Sequence, residues 1–442
     1  MDNAIGSFVS LVYRVGGIAS LAALTILTAR VLSEAEFGIY SSAIVAIGAA
    51  GTVAASFSGS AGYYVSNRQR APAEVASNAA LLSVGIGLAF VLGAVAVALV
   101  TTGDVREGAI LAALAVPPIV VRTALGGVYV GVNALLRYAF SLHGYGIFAF
   151  ALTLAWVVVL DHRTATDALG AWIVAQYFAL GAMALVSWRW WGWFGSHRPD
   201  RRLAWGLVTF GAFTGLAGFI SYFNYRVDQL LVIGLDSEEG AGLYATAVRV
   251  AEGLWLFSTA IAVATYAAVG TTSRAESSRI TAEGVRHTIL IVTALAVPIA
   301  LLAPWILKIL FGSEYGEAAW ALRLLAAATL IYAPQSILSN YYTVQLGKPW
   351  ISLALAGGSL AVSVVASLLI IPRVGFVGGA WATFISYGVT AVASTALFLR
   401  LSDASLRDLL VLRRDDLAAY PRLARRLTTR LGLGPAASGQ GA

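Results

Sequence analysis

Seven ionisable side chains sit inside stretches that are otherwise apolar: Arg14, Arg122, Arg226, Asp228, Arg249, Glu252 and Arg323. A charge in hydrocarbon costs about 2.5–3.5 kcal/mol even on the mildest scale, so each needs a partner, an aqueous path or a ligand. Five of the seven are arginines, whose planar guanidinium presents paired N–H donors to phosphate or carboxylate oxygens. The pattern reads as a surface for an anionic cargo, with Arg14, Arg122, Arg249 and Arg323 as the substrate-binding candidates. Glu252 follows Arg249 by three residues and shares its helix face, which leaves two roles open: a structural ion pair, or a titrating carboxylate that couples transport to protons or a cation. Arg226 and Asp228 are two apart and project in different directions; they fit an outer interface as well as a cargo contact. Arg14 and Arg323 lie close enough to the ends of their stretches to snorkel toward headgroups. His143 reads either as a proton relay or as a hydrogen-bonded packing residue among aromatics.

Nothing in the chain points to covalent chemistry. The absence of cysteine excludes disulfides, thiolate metal sites and thiol nucleophiles. His143, His162, His197 and His287 are widely spaced, against an imidazole metal cluster. Walker A, zincin and nucleophile-elbow motifs are absent. The expectation is therefore no catalytic residue, no metal, no cofactor and no ATP hydrolysis by this chain.

The elements that must hold these charges follow from composition. The chain has 442 residues, 59% hydrophobic and 12% charged, with a mean hydropathy of +0.80; a soluble domain carries about 25% charge to cover its surface. An all-α membrane protein is implied. About twenty apolar residues span a bilayer core, and twelve such stretches lie near 8–29, 38–65, 78–101, 108–131, 139–160, 168–188, 204–235, 240–270, 284–307, 317–345, 350–371 and 378–399. The first lacks a basic lead and reads as a retained span, not a cleaved signal. Pro117, Pro118, Pro298 and Pro334 are compatible with spans because neighbouring helices re-satisfy the freed backbone. The stretch 204–235 is too long for an upright helix and must tilt, bend or protrude.

Of 29 basic residues, 19 fall in loops after even-numbered spans or in the C-terminal tail, and five in loops after odd-numbered spans. The positive-inside rule then puts both termini in the cytoplasm and explains the net charge of +7 without nucleic acid. Every loop is short, leaving no soluble domain for catalysis. Residues 401–442 form a basic tail with Leu406, Leu409, Leu410, Leu417, Tyr420, Leu423, Leu427 and Leu431 near helical spacing. Pro421 divides it, and anionic membrane lipids are its expected contact. Trp188, Trp190, Trp191 and Trp193 resemble an interfacial aromatic belt.

An internal repeat sets two halves against each other. Ser33–Ala43 aligns with Ser237–Ala247 at an offset of 204 residues, with five of eleven positions identical. Gly170-Ala171-Trp172 recurs as Gly379-Ala380-Trp381. Six spans per half is an even number, so the repeat is parallel: a six-helix lobe at 1–200, a second at 201–400, and cargo between them.

Three stretches carry a family resemblance. Ala29-Arg30-Val31-Leu32-Ser33-Glu34-Ala35-Glu36-Phe37-Gly38-Ile39-Tyr40, Leu310-Phe311-Gly312-Ser313-Glu314-Tyr315 and Ile371-Pro372-Arg373-Val374-Gly375-Phe376-Val377-Gly378-Gly379-Ala380 are similar to motifs of the polysaccharide-transporter, or O-antigen flippase, family. That family belongs to the multidrug/oligosaccharidyl-lipid/polysaccharide exporter superfamily. The resemblance covers residues 1 to about 400 and implies a V-shaped pair of lobes. It implies translocation of undecaprenyl-diphosphate-linked glycan across the bacterial inner membrane by alternating access, beside polysaccharide polymerase machinery. The diphosphate would then pass from Arg14 and Arg122 toward Arg249 and Arg323 as the lobes rock. A multidrug exporter of the same superfamily would be expected to carry acids or aromatic surfaces for cationic drugs. The peptidoglycan-precursor flippase branch usually has two more C-terminal spans. A membrane-embedded glycan polymerase or ligase would need a large outer loop.

Overall fold

The computed structural model describes residues 3–66, 68–100, 104–187, 197–413 and 416, with backbone alone for 3–15, 18, 53, 54, 56, 104, 105, 135, 213, 214 and 267. All regular structure among them is helical. The first half contains α1 (Asn3–Val31), α2 (Glu34–Ser66), α3 (Pro72–Val100), α4 (Asp104–Gly131), α5 (Leu135–His143), α6 (Tyr145–Thr153) and α7 (Ala165–Val186). The second contains α8 (Arg201–Leu235), α9 (Glu238–Glu252), α10 (Trp255–Thr271), α11 (Arg274–Leu301), α12 (Ala303–Leu310), α13 (Ala319–Tyr332), α14 (Gln335–Asn340), α15 (Pro349–Val374) and α16 (Val377–Leu401), followed by the short α17 (Leu406–Leu410). Among the described residues eleven helical stretches are long and apolar enough to cross a membrane, and Ala19–Val31 is a shorter apolar helix. The protein is a multi-pass, all-helical membrane protein.

The polar residues between apolar stretches act as helix caps. Thr164, Asp200, Ser237 and Ser273 each accept a backbone N–H from the first turn of the helix they precede, satisfying donors that the helix itself leaves open. At α15–α16 the motif Ile371–Ala380 is a tight hairpin. Gly375 adopts φ 65°, ψ −151°, a region essentially closed to residues with a Cβ. A side chain on Gly378 would come 2.7 Å from the Ile371 Cα, and one on Gly379 would come 2.9 Å from Val232 of α8. Glycine is needed there for backbone approach.

Four expected spans are not continuous helices. The fifth breaks at Gly144 and ends in a π-helical turn, Leu154–Val159. The eighth breaks at Gly253–Leu254, immediately after Glu252. The ninth breaks at Leu302, and the tenth runs through a 3-10 turn (Glu314–Ala318), α13, α14 and a π turn (Tyr341–Gln345). Such interruptions survive where surrounding protein satisfies the backbone, and hydropathy alone does not register them. The long α8 holds 35 residues, about 50 Å at 1.5 Å per residue.

Side chains of α1, α2, α4, α6 and α7 build one buried cluster around Ile47, Val120 and Trp172. Side chains of α10, α11, α14, the π turn Tyr341–Gln345, α15, α16 and α17 build another around Val285, Tyr341 and Phe398. A third joins the halves through Phe37, Tyr244, Tyr315 and Leu322. Alongside these, α2 and α8 run antiparallel, with Tyr64 against Gly206 near one end and Tyr222 against Gly48 midway.

The tail departs from the expectation of a purely lipid-facing segment. Leu406 and Leu410 are exposed, but Leu409 is buried in the cluster with Val285. Arg286 of α11 donates to both Asp416 oxygens, at 2.7 and 2.9 Å, and to the Asp408 carbonyl at 2.5 Å. A buried arginine and a short apolar contact thus fasten the start of the tail to protein. Leu417, Tyr420, Pro421, Leu423, Leu427 and Leu431, and the Trp188–Trp193 belt, lie outside the described residues.

Candidate functional site

The charged centre of the molecule is a three-residue bridge. The Arg226 Nη2 lies 2.5 Å from one Glu252 oxygen, and the Arg249 Nη1 lies 3.3 Å from the other. Two guanidiniums therefore share one carboxylate, with the Arg226 Nη1 buried and unpartnered among the described residues. Arg249 and Glu252 occupy the last turn of α9, where the helix stops at Gly253. Arg226 comes from α8, so the third member joins through tertiary packing.

This bridge borders a cavity of about 390 Å³ whose lining includes Tyr222, Arg226, Asp228, Glu252, Trp255 and Tyr387. Aromatic rings form one wall. Trp255 lies 5.6, 5.5 and 6.2 Å from the ring centres of Tyr225, Tyr332 and Tyr387, and the last two stack at 4.2 Å. Asp228 faces a different set of partners from Arg226, as their spacing implies, yet both border the same cavity because it extends along α8. The Asp228 carboxylate accepts the hydroxyls of Tyr244 and Thr383 and the Gln229 backbone N–H. Every Asp228 oxygen is thereby occupied by a protein donor. Tyr222 closes the side toward the first half, donating its hydroxyl to the Val45 carbonyl of α2 at 2.7 Å.

Of the other sequence candidates with described side chains, Arg122 and Arg323 do not line this cavity. Arg122 is buried at 4% exposure. It donates to the Ser141 carbonyl and, at 3.1 Å, to Gln176, and lies 4.9 Å over the Tyr145 ring, with its Nε unpartnered. The break at Gly144 explains this: the last turn of α5 has carbonyls without intrahelical donors, and the guanidinium fills that role at the negative end of the helix dipole. Arg323 donates to the Ala300 carbonyl at 3.1 Å and lies 5.8 Å over the exposed Trp320 ring. The Arg14 side chain lies outside those described. His143 packs against Gly17 of α1.

Sequence reading missed the Asp228–Tyr244–Thr383 cluster and the aromatic wall. The only advance signal was that Tyr244 sits in the repeat. One group with metal-ligand spacing occurs among the described residues, Glu283, His287 and Asp416. Arg286 takes both Asp416 oxygens and brings a positive charge to the place a cation would fill.

The helix arrangement is one shared with solved membrane transporters. A solved inward-facing multidrug resistance MATE transporter of the MOP superfamily superposes with a TM-score of 0.73 at 16% identity, covering 86% of this chain and 94% of that one. The lipid II flippase MurJ, in an inward closed conformation, gives 0.72 at 12% identity, covering 97% and 100%. Residues 27–320 match the family model described as polysaccharide biosynthesis protein, and the chain belongs to that family. It is 24% identical over 199 residues to the probable low-salt glycan biosynthesis flippase Agl15 of Haloferax volcanii, a match covering 44% of this chain and 42% of the relative.

Proposed function

We propose that the protein is a flippase, not an enzyme, which carries undecaprenyl-diphosphate-linked oligosaccharide from the cytoplasmic to the outer leaflet of a bacterial inner membrane by alternating access. The observation that carries this reading is the bridge of Arg226, Glu252 and Arg249 at the edge of an aromatic-lined cavity. Two fixed cations on one acid leave a surplus donor set, and an incoming diphosphate can compete with Glu252 for both guanidiniums. Thr259 and Thr329, which also line the cavity, and the ring faces beside them suit a sugar better than a hydrocarbon. A cationic drug is less well served, because Asp228 is fully engaged and two arginines stand nearby. Under this reading twelve spans form two parallel six-helix lobes with cytoplasmic termini. Glu252 is the coupling or resetting group, and the basic tail meets anionic lipids and neighbouring polymerase machinery. Arg122, held by protein acceptors, supports the first lobe and does not carry cargo.

The test is translocation of defined lipid-linked oligosaccharide by proteoliposomes. Arg226→Gln and Arg249→Gln are each expected to lower the rate about tenfold or more, as loss of one charge-assisted contact in the membrane predicts. An undiminished rate in the double variant, or export of organic cations in its place, would overturn the assignment.

A further inference from the structure

The repeat makes a contact with itself. Ser33 and Ser237 cap α2 and α9: the Glu36 N–H reaches the Ser33 hydroxyl at 3.3 Å, and the Gly240 N–H reaches Ser237 at 3.0 Å. Glu34 and Glu238 open the two helices, and Gly38 and Gly242 stand at the fifth position of each. These equivalent residues meet reciprocally. A Cβ on Gly38 would collide with the Glu238 carbonyl oxygen and lie 2.9 Å from the Gly242 nitrogen. A Cβ on Gly242 would collide with the Glu34 carbonyl oxygen and lie 3.3 Å from the Gly38 nitrogen. Residue i touches residue j, and j's counterpart touches i's, which is the signature of a two-fold, self-complementary interface. Small residues at such a crossing let two helix backbones meet without intervening side chains.

Other contacts between the halves surround it. Arg30 of α1 donates to the Leu310 carbonyl at 2.8 Å and to the Ile309 carbonyl, at the end of α12. Phe37 meets the Tyr315 ring edge-on at 6.1 Å. Beneath the crossing, one turn along each helix, lie Ser42 and Thr246, again repeat equivalents and almost fully buried.

We propose that Gly38 and Gly242 are the closing residues of a gate: their backbone crossing seals the cavity on the face of the α1–α2 and α8–α9 turns and must separate once per transport cycle. The proposal rests on the alternating-access reading given above, but its test is independent of the cargo. Backbone crossing suits a seal that must open. At its centre backbone meets backbone, and it holds only while both glycines are present.

The protein contains no native cysteine, so one thiol reports on the gate without background. Ser42→Cys is introduced into the full chain in liposomes, and a membrane-impermeant maleimide is applied from the side bearing the α1–α2 turn. Gly38→Ala and Gly242→Ala should each speed labelling about tenfold, with the double variant close to either single because both break one contact. Gly59→Ala, whose Cβ would meet nothing within 4 Å, should label as the unsubstituted reporter does. Thr153→Cys, buried at the end of α6 nearer the same face, should stay unlabelled in every variant if the fold is intact. Unchanged labelling in the glycine variants overturns the proposal, as does a large effect from only one of them. Should an alanine variant unfold, Glu34→Cys with Glu238→Cys decides the matter. Joining them with a reducible bis-thiosulfonate must stop transport and reduction must restore it; transport at full rate by the joined protein overturns the gate. If labelling behaves as stated while no lipid-linked oligosaccharide moves, the gate stands and the cargo assignment fails.

Discussion

Among the described residues, Arg122, Arg286 and the Arg226–Glu252–Arg249 bridge are each held by a different local arrangement. Arg122 caps a broken helix, so Arg122→Met should leave the Ser141 carbonyl and Gln176 without their donor. The expected loss is about 1–3 kcal/mol of stability, read as a lower Tm, with pyrophosphate binding per folded molecule unchanged. Glu252→Gln acts in the opposite sense. It removes the acid that Arg226 and Arg249 share, and titration calorimetry should show pyrophosphate binding strengthened about threefold or more, while release and turnover slow. The Arg249–Glu252 pair was legible in the sequence because its members are three apart on one helix. Arg226 was not assignable to it, since nothing local distinguishes a neighbour on the next helix from a lipid-facing residue.

At the scale of elements, the family-like motifs resolve into backbone requirements. Gly375→Ala should destabilise the α15–α16 hairpin by about 1–3 kcal/mol, because φ 65°, ψ −151° strains any Cβ. Gly388→Ala, where a Cβ meets nothing within 4 Å, should leave the Tm unchanged. The docked tail adds a pH dependence. Hydrogen bonds from Arg286, first among the causes, hold the Asp416 carboxyl below its ordinary value; the Arg413 backbone N–H and nearby His287 act in the same direction. A depressed carboxyl stabilises the docked state fully above its unfolded value of about 3.9 and loses that contribution as pH falls through the lower folded value. Limited proteolysis of solubilised protein should therefore find the segment from Ser402 to Arg413 protected at pH 6 and increasingly cut below about pH 4. In Asp416→Asn it should be cut at both. Glu283 also faces this group, so Glu283→Gln is the matching control.

For the whole molecule, orientation is the prediction that composition makes most directly. In right-side-out vesicles, an impermeant maleimide should label Ser313→Cys, exposed in the loop before α13, and spare Asp403→Cys, exposed after α16; the reverse would invert the topology.

Hydrophobic spacing alone determined that the chain is helical and multi-pass, and very nearly where each apolar stretch runs, because a bilayer enforces length and apolarity residue by residue. Sequence also exposed the repeat, since Ser33, Glu34, Gly38, Tyr40 and Ala43 recur in order. It did not reveal that Gly38 and Gly242 touch, that Arg122 and Arg323 are spent on carbonyls, or that four spans are broken. Those outcomes depend on which groups lie beside one another in space, 19 residues apart for Arg122 and Ser141, 23 for Arg323 and Ala300, and 204 for the two glycines. Only tertiary packing decides whether a charge in the membrane meets a partner, a helix end or an open cavity, and the same arginine serves a different purpose in each.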